Sequence, residues 1–121
     1  MESIGLVIVS HSKHIAEGVV ELISKVAKDV PITYVGGGGI GTSFDQVDRV
    51  VSENPADTLL AFFDLGSAKM NLKMVTDFSD KSIIINRVPI VEGAYNAAAL
   101  LQAGAELSVI QTQLAELEIN K

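Results

Sequence analysis

At 121 residues the chain has the length of a single domain able to bury its own core. Its 48% hydrophobic and 20% charged residues mark a globular rather than a disordered chain. The net charge of −6 provides no basic stripe for a nucleic-acid backbone, and the lack of cysteine excludes disulfides, thiolate catalysis and cysteine-based metal sites.

The first strand is predicted over Ile4 to Val9, continuously apolar as in a strand covered on both faces. A run of about six apolar residues is too short for an export signal or a membrane span, which predicts a cytoplasmic protein. The run leads into Ser10-His11-Ser12, and a helix follows from Ser12 or Lys13 to Lys28, with Ile15, Val19, Leu22, Ile23 and Val26 at core spacing. Pro31 opens a short second strand, Ile32 to Val35. Five glycines in the six residues 36–41 then require a loop, and Thr42 or Ser43 is placed to cap a helix carrying Phe44, Val47, Val50 and Val51, which Asn54-Pro55 ends. The third strand, Thr58 to Phe63, terminates in Asp64-Leu65-Gly66-Ser67. A helix from about Ser67 to Phe78 is expected to bury Met70, Met74, Val75 and Phe78. The fourth strand, Ser82 to Asn86, precedes an alanine-rich helix (Ala94, Ala97, Ala98, Leu101), a break at Ala103-Gly104-Ala105 and a last amphipathic helix with Leu107, Ile110, Leu114 and Leu117.

Alternation of this kind predicts one α/β domain over residues 1–121, a parallel sheet with helices on both faces. In the flavodoxin-like strand order 2-1-3-4, the switch point lies between strands one and three, where ligands bind at the carboxyl ends. His11 and Asp64 then flank one crevice. A neutral imidazole there is a competent nucleophile or base, and can also bind a metal. Asp64 fits two roles, an acceptor that orients the imidazole or a cap for the third helix. His14 makes a His-x-x-His pair with His11, but without a third histidine or a cysteine it reads as a solvated helix residue.

The glycine loop matches G-x-G-x-x-G through Gly36, Gly38 and Gly41 but follows the second strand, away from the switch point, and so is a weak dinucleotide signal. Its amides, Gly38 among them, and the Thr42 and Ser43 hydroxyls are candidates for contact with an anion or a partner; a plain connection is the other reading. Gly66 and Ser67 open a helix, and helix N-terminal amides attract phosphate, so phosphoryl chemistry fits His11 better than acyl transfer. No Gly-x-Ser-x-Gly elbow supports a serine hydrolase.

Four stretches act together: Val7-Ile8-Val9-Ser10-His11-Ser12, residues 36–43 ending in Gly-Ile-Gly-Thr-Ser, Asp64-Leu65-Gly66-Ser67-Ala68, and Pro89-Ile90-Val91-Glu92-Gly93-Ala94. Over essentially the whole chain they resemble the mannose-type IIA family of the bacterial sugar phosphotransferase system. Within it they resemble the phosphocarrier subunits of phosphoenolpyruvate-dependent dihydroxyacetone kinases. The resemblance implies that His11 accepts a phosphoryl group from the phosphocarrier HPr, itself charged by enzyme I from phosphoenolpyruvate. It further implies transfer to ADP held on a DhaL subunit, the ATP so formed phosphorylating dihydroxyacetone on a DhaK subunit. Asp64 would orient His11, Gly66 and Ser67 would cradle the phosphoryl group, and Thr42 and Ser43 would lie on a neighbouring loop. It implies no cofactor of the chain's own and a homodimer, for which the alanine-rich and last helices are the expected contact surfaces.

Two features depart from the pattern. The glycine loop is shorter than in many relatives, and some relatives continue into HPr-like and enzyme I-like domains, so this chain is expected to depend on separate donors. A IIA domain of a sugar transporter, passing phosphate to a IIB domain, is the nearest alternative. A non-catalytic ligand-binding module is the alternative from another class. The Asp-Leu-Gly-Ser-Ala turn and the Pro-Ile-Val-Glu-Gly run lean toward the kinase subunit.

Overall fold

Val7 and Val9 project from one face of the strand Ile4–Ser10 and Leu6 and Ile8 from the other, and all four are inaccessible to solvent. That double burial requires a layer of helices on each side of the sheet. The computed structural model describes residues 3–37 and 43–121, and supplies both layers. The elements are β1 (Ile4–Ser10), α1 (Lys13–Ser24), β2 (Ile32–Gly36), α2 (Phe44–Glu53), β3 (Thr58–Phe63), α3 (Gly66–Phe78), β4 (Ser82–Asn86), α4 (Ile90–Gln102) and α5 (Leu107–Ala115). All strand pairs are parallel in the order β2-β1-β3-β4, as expected. The register sets Val9 beside Phe63, so β1 and β3 end within one residue of each other at the centre of the sheet.

Leu6, Ile8, Leu60 and Phe62 pack under α1, α4 and α5, through Ala16, Val19, Ile23, Ala94, Ala97, Ala98, Ile110 and Leu114. Val7, Val9, Leu59, Ala61 and Phe63 pack under α2 and α3, through Val47, Val50, Val51, Ala68, Leu72 and Val75. The strands Thr58–Phe63 and Ser82–Asn86 have the bounds that their apolar runs predict.

The helices differ from expectation in which face is buried. α1 buries Ala16, Val19 and Ile23, while Ile15 and Leu22 are exposed. It ends at Ser24 rather than Lys28, and the turn that follows is fastened to α4: Gln102 accepts from the Asp29 amide at 2.9 Å and donates to its carboxylate at 2.9 Å. α3 begins at Gly66 and buries Ala68, Leu72 and Val75, leaving Met70 67% and Phe78 78% exposed. In both helices alanine marks the buried stripe because a small side chain lets the backbone approach the sheet. Phe78 meets Phe44 edge-on, with ring centroids 6.1 Å apart. Ala94, Ala97 and Ala98 of α4 and Ile110 and Leu114 of α5 are buried inside the protein, while Val91 and Tyr95 of α4 and Val109 of α5 are exposed. Gly104, at the α4–α5 break, has φ 84°, a left-handed conformation that glycine adopts without a Cβ clash. Among the described residues no helix is long and apolar enough to cross a membrane.

Asn54 fixes the ends of the central strands. It is 1% exposed; its amide donates to the Leu6 carbonyl at 3.1 Å and to Thr33 Oγ1 at 3.3 Å, and its carbonyl accepts from the Ala56 amide at 3.0 Å. Asn54→Ala removes these partners without solvent to replace them, and is expected to cost about 2–3 kcal/mol. The measurement is a urea midpoint lowered at unchanged slope; a loss within ~0.5 kcal/mol would contradict this role.

Candidate active site

The two central strands deliver Ser10 and His11 from β1 and Asp64 from β3 to the same edge. Ser10 is fully buried, and its hydroxyl donates to Asp64 Oδ2 at 2.6 Å while accepting from the Ser12 amide at 3.0 Å. The His11 amide donates to the same carboxylate, 3.1 Å from Oδ2 and 3.3 Å from Oδ1. Oδ1 also accepts from the Leu65 amide at 2.8 Å and faces His11 Nδ1 at 3.0 Å. Burial by itself pushes the Asp64 carboxyl up, but the donors from Ser10, the His11 ring and amide, and Leu65 outweigh it and hold the group below the usual carboxylate range. Asp64 is therefore a carboxylate at neutral pH, a pure acceptor with its lone pairs occupied.

An ionised acceptor at Nδ1 assigns the proton to that nitrogen and leaves the lone pair on Nε2. Nε2 faces the Ser67 hydroxyl, with which it is hydrogen-bonded. The imidazole side chain is 24% exposed, against 14% for Asp64, so one ring nitrogen is anchored and the other is reachable. Such an imidazole can act as nucleophile or base at Nε2, with Asp64 stabilising the positive charge that develops on the ring.

Ser67 lies in the first turn of α3, directly after Gly66, where the amide ends of a helix favour negative charge. The cap of α3 is Leu65, without a side-chain cap bond, so Asp64 is not the capping residue; it serves the helix only through the Leu65 amide. Ser12 caps α1 by accepting from the Ile15 amide at 3.3 Å, which leaves His11 outside that helix. His14 is on α1 with its side chain 96% exposed and Glu17 Oε1 3.9 Å away, the solvated residue expected.

The glycine loop begins against this turn. The Gly37 amide donates to the Ser10 carbonyl at 3.0 Å, and a Cβ on Gly36 would lie 2.1 Å from Lys13 Cα. Glycine at 36 is thus demanded by close approach to the start of α1. Gly38 and Thr42 lie outside the described residues. Ser43 caps α2: it accepts from the Gln46 amide at 3.3 Å, and the Gln46 side chain returns the bond to the Ser43 amide at 3.0 Å. Ser10 supports Asp64 although no sequence motif marks it; its one signal in the sequence is a polar residue closing an otherwise apolar buried strand.

The strand order and the histidine–aspartate pair at its switch point define a single-domain α/β protein with one carboxylate-held imidazole at the sheet edge. The sequence pattern of the EIIA-man family, described as the phosphotransferase-system fructose IIA component, matches residues 5–111, and the chain belongs to that family, the mannose-type IIA domains. It is 53% identical to the phosphotransferase subunit DhaM of the PTS-dependent dihydroxyacetone kinase of Lactococcus lactis, over 97% of this chain and 98% of that one. It is 48% identical to the phosphoryl donor subunit DhaM of PEP-dependent dihydroxyacetone kinase 1 of Listeria innocua, over 95% of each. The crystal structure of EF1359, a protein described as of unknown function, superposes with a TM-score of 0.82 at 27% identity, covering 98% of this chain and 95% of that one.

Proposed function

We propose that this chain is a cytoplasmic phosphohistidine carrier that takes a phosphoryl group from HPr onto Nε2 of His11 and hands it to ADP bound on DhaL, driving phosphorylation of dihydroxyacetone on DhaK. The observation that carries the reading is the His11 Nδ1–Asp64 Oδ1 contact of 3.0 Å, which reserves Nε2 as the nucleophile. The DhaM relatives of Lactococcus lactis and Listeria innocua, named as phosphotransferase and phosphoryl donor subunits, support the assignment to a dihydroxyacetone kinase.

In the first step, the lone pair of Nε2 attacks phosphorus, an Nε2–P bond forms, and the N–P bond of phosphorylated HPr breaks. The Nδ1 proton stays on the ring and the Asp64 carboxylate stabilises the imidazolium character that attack creates. The Ser67 hydroxyl, which occupies Nε2 in the resting site, turns to donate to a phosphoryl oxygen, with Gly66 beside it at the amide end of α3. In the second step the Nε2–P bond breaks as an oxygen of the ADP β-phosphate bonds to phosphorus. The chain needs no cofactor of its own for either step. It works as a homodimer, and Gly38, Thr42 and Ser43 are the residues we assign to contact with the phosphoryl group or a partner.

The family description as a fructose IIA component supports a second reading, transfer to a IIB domain. Acceptor choice separates the two. Phosphorylated protein mixed with DhaL–ADP is expected to lose its phosphoryl group and yield stoichiometric ATP, and to keep that group when mixed with a IIB domain. Transfer to the IIB domain alone would overturn the kinase assignment.

A further inference from the structure

The segment that follows α5 is anchored across the edge of the sheet that holds the site. The Ile119 amide donates to the Arg87 carbonyl at 2.8 Å, and the Arg87 guanidinium pairs with Glu118 at 3.1 Å, just beyond the end of β4. The segment thereby carries Lys121 to the end of β3, where its ammonium donates to the Phe63 carbonyl at 2.6 Å and lies 4.3 Å from the centre of the Phe63 ring. Lys69 of α3 holds the same residue in place, donating to the Lys121 main-chain oxygen at 2.9 Å. Phe63 is the residue before Asp64, and Lys69 is two residues after Ser67. Partial burial lowers the Lys121 ammonium from the ordinary lysine value, while the Asp64 carboxylate favours its charge.

We infer that Lys121 is a positioning residue of the phosphorelay, an ammonium pinned on the Phe63 carbonyl that offsets the negative charge gathered at the His11–Asp64 edge when the phosphoryl group arrives. The inference rests on the reading of His11 as the phosphoryl acceptor. In the resting site Asp64 contributes one negative charge. A phosphoryl group on Nε2 brings about two negative charges, one of them offset by the proton kept on the ring, so the net gain is about −1, in a part-buried setting where solvent screens incompletely. A cation tethered by backbone contacts, rather than by a mobile surface pair, lowers the free energy of the phosphorylated state more than that of the free state. Lys121 is held on Phe63 rather than on the imidazole, and acts through the field around Asp64.

The test is the phosphoryl distribution at equilibrium between equimolar HPr and this chain, read from intact masses. An equilibrium constant does not depend on how fast or how well the two proteins dock. Lys121→Gln is expected to lower the ratio of phosphorylated chain to phosphorylated HPr about 3–10-fold, and Lys121→Arg to restore it to within ~2-fold. An unchanged ratio in Lys121→Gln overturns the inference. So does an equal loss in Gln and Arg variants accompanied by a lowered thermal midpoint, which makes the segment a structural strap. If the unsubstituted protein takes no label at all, the phosphohistidine reading itself fails and this inference falls with it.

Discussion

Asp64→Asn is expected to slow phosphoryl uptake from HPr by about 10²–10⁴-fold while the protein stays folded, with a lowered midpoint, at neutral pH. The carboxylate accepts from the Ser10 hydroxyl, the His11 amide and the Leu65 amide, and faces His11 Nδ1. An asparagine keeps one oxygen and presents an NH₂ in place of the other, so it can no longer satisfy all those donors. It also permits the imidazole to place its proton on Nε2, which removes the nucleophile. Stopped-flow transfer from phosphorylated HPr measures the effect. An unchanged rate would reduce Asp64 to a support for the turn.

The same substitution has a pH signature. The folded-state pKa of Asp64 is depressed, so the unfolded chain binds its proton more readily than the folded one. The carboxylate therefore contributes stability above the ordinary carboxylate range, and that contribution is lost as pH falls through the lower folded value. The thermal midpoints of the unsubstituted protein and Asp64→Asn should differ more at pH 7 than near pH 3. A difference that grows on acidification would contradict the stated sign.

Much of this fold was legible because the strands are continuous apolar runs. Thr58–Phe63 is buried at every position, and a run of that kind ending in Asp64-Leu65-Gly66 fixes both the strand and the turn. The helix faces were less legible. Both α1 and α3 carry apolar residues on more than one side, and the heavier ones, Ile15, Met70 and Phe78, are exposed while Ala16 and Ala68 are buried. Burial here follows how closely the helix sits on the sheet, which hydrophobicity alone does not encode.

The site divides along the same line. His11 and Asp64 were legible because each ends a central strand, and the strand order follows from the alternation of elements. Ser10 meets Asp64 across 54 residues of sequence and Lys121 meets Phe63 across 58, with no local spacing to announce either. The sequence position of Ser43 fits both a cap and a ligand contact, and its capping box with Gln46 is the role the geometry displays.

His11→Ala is expected to abolish phosphoryl transfer outright, because no other group of the Ser10–Asp64–Ser67 cluster offers a ring nitrogen. The side chain is part-exposed, so its removal should leave the fold intact, and a thermal midpoint near that of the unsubstituted protein will establish this. His14 provides the internal control, since it is the second of the two histidines and is solvent-exposed on α1. The decisive measurement is the intact mass of the protein after incubation with phosphoenolpyruvate, enzyme I and HPr. The unsubstituted chain and His14→Ala should each gain one phosphoryl group, labile in acid and stable in base, and His11→Ala should gain none. A phosphoryl group retained on His11→Ala, or none on the unsubstituted chain, would contradict the assignment of His11 as the carrier.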